Sequence, residues 1–318
     1  MTAEAKILGL VFDPACLGHE QEDGHPEAPG RVLAVQEALE EAGLAEQALA
    51  LPARPARSAD LELVHERDYV RRVEEACARG PAVLGPDVVV SPGSWDAARL
   101  AAGGAMAAVD AVLEGRVRRA FCNLRPPGHH ALPGQAMGFC VFNNVALAAR
   151  QALARRGLER VLIVDCDLHH GNGTEEIFYR DPGVFYFSVH CHPFYPGTGS
   201  ASRRGAGAGE GSNLNAPLPP GRGDDAMLEA LRTGLLPEAR RFRPQIILVS
   251  CGFDAHRDDP LSGLSATAAG FGAMTRLVVD LARECCQGRL VSVLEGGYDL
   301  KALAECAVAH VRELASPD

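Results

Sequence analysis

Asp167 and His169 stand two residues apart directly after the apolar run Val161–Val164, so on an extended segment both side chains point the same way. Asp254 follows a second apolar run, Ile246–Ser250, and can supply a third ligand. Two carboxylates and one imidazole leave a coordination position open, as catalytic rather than structural zinc sites do. An isolated Asp-x-His pair reads more simply as a salt-bridged Asp beside a surface histidine. Here, however, reactive groups follow two further apolar runs. His129-His130 comes after Pro126-Pro127-Gly128, a stiff turn that fixes where the imidazoles point. Imidazole titrates near ~6.5, which suits one ring as a base and the other as its electrostatic partner. Gly296-Gly297-Tyr298 brings up a phenol hydroxyl able to donate to a developing oxyanion. Each piece alone would read as solvated loop or packing; their convergence carries the metal reading.

Other chemistries find little support. There is no Gly-x-Ser-x-Gly elbow, and nothing in the sequence activates Cys251 as a nucleophile. A Gly-x-x-x-x-Gly-Lys-Ser/Thr phosphate loop is absent, and lysines are very few. No cysteine spacing matches a zinc ligand set.

These groups need a scaffold that delivers them to one edge. Short β-type runs occur at Ile7–Phe12, Ala120–Leu124, Val161–Asp165, Val184–Val189, Ile246–Ser250 and Leu290–Leu294, several of them apolar throughout. Helical stretches lie between them. Arg31–Ala42 stops at Gly43, Ser94 caps a stretch running to Gly115, Asn143–Arg156 stops at Gly157, and Thr267–Cys286 stops before Gly288. The alternation predicts an α/β fold, a three-layer single domain over residues 1–318 with a mainly parallel central sheet. In such sheets ligands bind at the carboxyl ends of the strands, where the four polar segments begin. Pro193–Arg222 reads as one long irregular loop with a functional role.

Composition narrows the partners. The 318 residues are 47% hydrophobic and 23% charged, with a formal net charge of -10, which is ordinary globular make-up. An acidic chain lacks the basic face of a nucleic-acid binder. No apolar run is long enough to span a membrane, and Ile7–Phe12 is too short for a signal peptide. Ten cysteines without a Cys-x-x-Cys predict buried free thiols and a cytoplasmic location. Whether the chain forms a homo-oligomer is left open.

The ordered motifs His25-Pro26-Glu27, Arg125–His130, Gly138-Phe139-Cys140, Asp165–Thr174, Pro196–Gly199, Gly252–Asp254 and Glu295–Tyr298 resemble the histone deacetylase superfamily, of arginase/deacetylase fold. Glu295-Gly296-Gly297-Tyr298 and Asn172 resemble its class II branch and bacterial relatives. The resemblance implies a catalytic zinc held by Asp167, His169 and Asp254. It implies His130 as general base and then acid, His129 as electrostatic partner, and Tyr298 as donor to the carbonyl oxygen. Asp165 would orient His129, and Asn172 would stand beside His130. An amide there should leave His130 less basic than a carboxylate would. Phe139 and Tyr195 match the aromatic pair flanking an acyl-lysine channel, where many relatives carry Phe in place of Tyr195. Arg31 matches an arginine at the channel's inner end. A structural potassium would be held by Asp165, Asp167, His169, Ser188 and Val189, and a second alkali ion near Phe178, Asp181 and Val184.

The implied activity is a zinc-dependent amidohydrolase that removes acetyl groups from lysine-like amines of peptides or proteins and releases acetate. Polyamine-selective relatives carry an acidic gatekeeper where this chain has Leu261, which favours acyl-lysine over acetylpolyamines. Two alternatives stand beside this reading. One is a non-catalytic acyl-amine binding protein. The other is an arginase-like enzyme with two manganese ions, for which Asp258 and Asp259 are the nearby extra carboxylates.

Overall fold

The computed structural model describes residues 6–317. Ten strands form in chain order: β1 Lys6–Val11, β2 Leu49–Ala50, β3 Ala82–Gly85, β4 Val88–Val90, β5 Val117–Cys122, β6 Val161–Asp165, β7 Val184–Cys191, β8 Asn213–Leu218, β9 Ile246–Cys251 and β10 Leu290–Leu294. Eight of them build one sheet in the order β2-β1-β5-β10-β9-β6-β7-β8, and all its pairings are parallel. Every residue of β6, β7, β9 and β10 is buried. That burial explains their largely apolar sequences, since helices cover both faces of a parallel sheet. The helices Ser94–Leu113 and Asn144–Arg156 pack on each other, while Gly30–Glu41, Ala268–Cys286 and Leu300–Leu314 pack together as a second group. The architecture is the expected α/β fold with a parallel central sheet.

Sheet order is what assembles the chemistry. The four strands followed by polar segments, β5, β10, β9 and β6, are consecutive neighbours in the sheet. Residues 123–130, 165–173, 252–259 and 295–298 therefore leave one edge side by side.

Two local expectations are corrected. Ser94 does not cap its helix: Gly93 occupies that position, and the Ser94 hydroxyl accepts instead from the Ser91 N–H at 2.8 Å. Pro193–Arg222 is not wholly irregular, because it contains β8, which closes one sheet edge against β7. Pro217 lacks an N–H to donate, so this strand is suited to an edge. The antiparallel β3–β4 hairpin also escapes the sequence reading. Two other helices do carry side-chain caps: Asn143 accepts from the Ala146 N–H, and Thr267 accepts from the Gly270 N–H.

Candidate active site

Asp167 and His169 lie just beyond the end of β6, and Asp254 just beyond β9, all three buried. One ligand atom from each lies within 4.8 Å of the others. His169 Nδ1 stands 3.2 Å from Asp167 Oδ1 and 2.9 Å from Asp254 Oδ2. Backbone donors hold the carboxylates in place: Gly296 N–H on Asp167 Oδ2 at 2.9 Å, and Leu168 N–H on Asp254 Oδ1 at 2.9 Å. A Cβ at Gly252 would come within 1.9 Å of Asp167 Oδ2, so only glycine lets β9 pass this close. Burial, and then the Asp167 charge, push the Asp254 carboxyl up to about 7. Two buried carboxylates converging on one imidazole form a donor set that fits a divalent cation such as zinc. Among the described residues this is the single cluster of three or more side chains able to hold a metal. Asp258 and Asp259 do not extend it: Asp258 is exposed, and Asp259 is engaged by backbone N–H groups.

The histidine pair lies beside this trio, with ring centroids 4.0 Å apart. His129 Nδ1 is 3.1 Å from Asp165 Oδ2. Burial opposes its charge, but the Asp167, Asp165 and Glu295 carboxylates outweigh burial and hold His129 well above the usual imidazole range. His130 behaves oppositely. Burial and the charges of His129 and His169 hold it well below that range. Its Nδ1 is 2.8 Å from Asn172 Oδ1, an acceptor, so Nδ1 carries the proton and Nε2 is left as a base. Environments that push two neighbouring groups apart in this way mark acid–base sites.

His130, His169, Phe139, Phe194, Tyr195, Leu261, Tyr298, Gly138 and Asp87 line a channel of about 290 Å³. The Tyr195 ring sits edge-on to His130, with centroids 5.3 Å apart, and its hydroxyl donates to Asp87 Oδ2 at 2.7 Å. Phe139 meets Tyr298 edge-on at 5.9 Å. Burial, and then the Asp254 charge, hold the Tyr298 phenol well above its usual value, so it remains a donor. Arg31 is not among the lining residues. It is buried behind Tyr298, 5.0 Å from the ring centroid, and pairs with Glu27 at 3.2 Å.

Asp165 and Ser188 are register partners on β6 and β7, with Val189 next in line. Phe178, Asp181 and Val184 lie apart from the site, on the turn into β7, where Asp181 N–H donates to Phe178 O and Val184 N–H to Asp181 O.

Some contributors are invisible in the sequence. Tyr186 sits inside an apolar strand and would pass for core, yet its hydroxyl donates to Asp165 Oδ2 at 2.9 Å. Asp87 reads as an ordinary turn residue. Glu295, noted only as part of a motif, is fully buried beneath the histidine pair. Its Oε2 accepts from Gly128 N–H at 2.6 Å and His129 N–H at 3.1 Å, and its Oε1 from Ser250 Oγ at 2.9 Å. All ten cysteines are free and nine are buried; burial holds Cys251 well above the usual thiol range, so it is no activated nucleophile.

A parallel α/β sheet carries a buried carboxylate–imidazole trio able to hold a metal ion beside an apolar channel, which defines the class as an α/β protein with a candidate metal site. The histone deacetylase domain family matches residues 25–314, and the chain belongs to that family. It is 44% identical over 311 residues to a histone deacetylase-like amidohydrolase of Pseudomonas aeruginosa, covering 97% of this chain and 80% of that one. A probable deacetylase of Archaeoglobus fulgidus is 41% identical over 297 residues, covering 93% and 82%. The crystal structure of the HDA15 HD domain superposes with a TM-score of 0.93 at 38% identity, covering 98% of this chain and 88% of that one. Family membership supports a hydrolase of the deacetylase type acting on an acylated substrate. No helix among the described residues is long and apolar enough to cross a membrane.

Proposed function

We propose that the chain is a single-domain, zinc-dependent amidohydrolase that removes acetyl groups from lysine-like amines and releases acetate. The observation that carries this reading is one shared channel: His130, His169 and Tyr298 all face a cavity walled by Phe139, Phe194, Tyr195 and Leu261. Asp167, His169 and Asp254 would hold the zinc. When bound, zinc supplies Lewis-acid polarisation of the amide carbonyl and lowers the pKa of water.

The chain's own groups supply the rest. His130 takes a proton from the attacking water at Nε2, because Asn172 fixes the Nδ1–H tautomer. His129, held cationic by the Asp167, Asp165 and Glu295 carboxylates, stabilises negative charge building beside it. Tyr298 donates its hydroxyl proton in a hydrogen bond to the carbonyl oxygen as that atom becomes anionic. His130 then returns its proton to the nitrogen as the C–N bond breaks, leaving acetate and the free amine. Phe139 and Tyr195 flank the acyl-lysine stem. Leu261 on the channel wall offers no charge to a cationic polyamine, which favours acyl-lysine.

Asp165, Asp167, His169, Ser188 and Val189 would hold a potassium ion with oxygen ligands, a reading supported by the Asp165–Ser188 register. The turn at Phe178, Asp181 and Val184 is the second alkali-ion candidate. Nine buried free thiols support a reducing, cytoplasmic setting.

The test is acetate release by zinc-loaded protein from acetyl-lysine peptides and from acetylated polyamines. Faster turnover of the peptides is expected. Faster turnover of polyamines overturns the substrate class, and tight binding without acetate from either overturns the enzyme reading.

A further inference from the structure

The peptide group joining Gly297 to Tyr298 is gripped at both ends by buried charges. Its carbonyl oxygen accepts from Arg31 Nε at 2.6 Å, and its N–H donates to Asp259 Oδ2 at 2.6 Å. Arg31 is 1% exposed and Asp259 7%. The same Asp259 oxygen accepts from Asp299 N–H at 3.2 Å, while Oδ1 accepts from Leu261 N–H at 2.9 Å. The preceding peptide is held separately, its Gly296 oxygen accepting from Phe253 N–H at 3.0 Å. Gly297 has φ +120°, a conformation open to glycine, and the helix Leu300–Leu314 begins only after its cap, Asp299. Rotating the peptide plane would swing the Tyr298 side chain.

We propose that Asp259, acting with Arg31, is a positioning residue that locks the Gly297–Tyr298 peptide and so sets both the Tyr298 phenol and the Leu261 wall of the channel. A guanidinium grips the acceptor end and a carboxylate the donor end, so each charge is hydrogen-bonded to the peptide dipole it orients. This inference rests on Tyr298 being the oxyanion donor. It assigns to Asp259 a role other than metal ligation.

The decisive experiment is a double-substitution cycle. Asp259→Ala should lower kcat by ~10- to 100-fold with little change in KM, because misplacing a catalytic group by about 1 Å can cost ~100-fold. In a Tyr298→Phe background the same substitution should change kcat by less than ~2-fold, since the group it positions is already gone. Equal losses in both backgrounds would make Asp259 a general brace and overturn the proposal. A second readout needs no turnover. With fluorotyrosine at all five tyrosines, the 19F resonance that disappears in Tyr298→Phe should shift or broaden in Asp259→Ala while the other four stay in place. An unmoved Tyr298 resonance overturns the positioning role even if the protein proves inactive on acetyl-lysine. Inactive wild-type protein with a shifted resonance would reject the deacetylase reading and leave the clamp standing. If Asp259→Ala folds poorly, Asp259→Leu, which keeps side-chain size but can accept from none of the Tyr298, Asp299 and Leu261 N–H groups, takes its place and should give the same kinetic split and the same resonance shift.

Discussion

His130 Nδ1 and Asn172 Oδ1 face each other at 2.8 Å in the site's interior, so an amide rather than a carboxylate orients this histidine. Its neighbour His129 has the opposite arrangement, with Asp165 Oδ2 3.1 Å from Nδ1. Burial and the charges of His129 and His169 keep the His130 ring neutral, whereas the Asp167, Asp165 and Glu295 carboxylates outweigh burial and keep the His129 ring cationic, although the two centroids are only 4.0 Å apart. The neutral ring is the one that lines the channel.

This asymmetry predicts a pH profile. A base must be unprotonated to act, and His130 is held well below the ordinary imidazole value. The acidic limb of kcat/KM should therefore lie below pH ~6.5. Asn172→Asp puts an anion beside Nδ1, favours the imidazolium and should move that limb upward by ~1 unit or more. A limb that stays put in Asn172→Asp would show that another group is the base.

The ligand trio predicts metal behaviour that is independent of turnover. Asp167→Ala, His169→Ala and Asp254→Ala should each lose zinc, because each removes one of three converging donors. Chelation of the wild type should also lower the melting temperature, since a cation bound only by the folded state stabilises it. Full zinc occupancy in any of the three variants, measured by metal analysis, removes that residue from the ligand set.

Glu295→Gln probes the floor under the histidine pair. The carboxylate accepts from Gly128 N–H, His129 N–H and Ser250 Oγ while fully buried. A glutamine cannot accept at both ends, so one donor loses its partner at a cost of about 1–3 kcal/mol. The expected outcome is a lower unfolding midpoint together with reduced kcat at full zinc occupancy. Wild-type stability in denaturant melts would mean that the histidine backbone does not depend on this carboxylate.

Much of this arrangement is legible in the chain because buried parallel strands announce themselves as apolar runs, and their polar exits then stand out. Asp167, His169, Asp254, His129, His130 and Tyr298 are found that way. What stays hidden is set by tertiary pairing. No local pattern tells that β10 and β9 lie between β5 and β6, yet that order brings Glu295 beneath His129. Tyr186 hides among apolar strand neighbours, and Asp87 hides in a turn. The strand Asn213–Leu218 is missed because its asparagines and proline read as loop, although β7 pairs with it throughout its length. Ser94 misleads because a serine at a helix start predicts a cap, whereas here it accepts from Ser91 in the preceding turn.

Leu261 predicts selectivity. It lines the channel opposite aromatic walls and presents no charge. Leu261→Glu should raise relative turnover of acetylated polyamines over acetyl-lysine peptides, because a carboxylate at the channel attracts a cationic amine. Competition assays with both substrates check this, and the gain should weaken as salt screens the interaction. An unchanged ratio would show that Leu261 does not set substrate choice.

Tyr298→Phe separates binding from chemistry. The phenol is a weak contributor while the carbonyl is neutral and a strong one once the oxygen carries charge, so its loss should fall on kcat rather than KM. Removing one such donor typically costs ~2.7–4 kcal/mol, or about a hundred- to a thousandfold in rate. Zinc should stay bound, because Tyr298 is outside the Asp167–His169–Asp254 trio. Packing should also survive, since the Phe139 edge contact and the Arg31 guanidinium engage the ring and not the hydroxyl. Steady-state kinetics paired with metal analysis decide the matter. Near-normal kcat would reduce Tyr298 to a wall of the channel, and loss of zinc would reveal a structural link between this ring and the metal ligands.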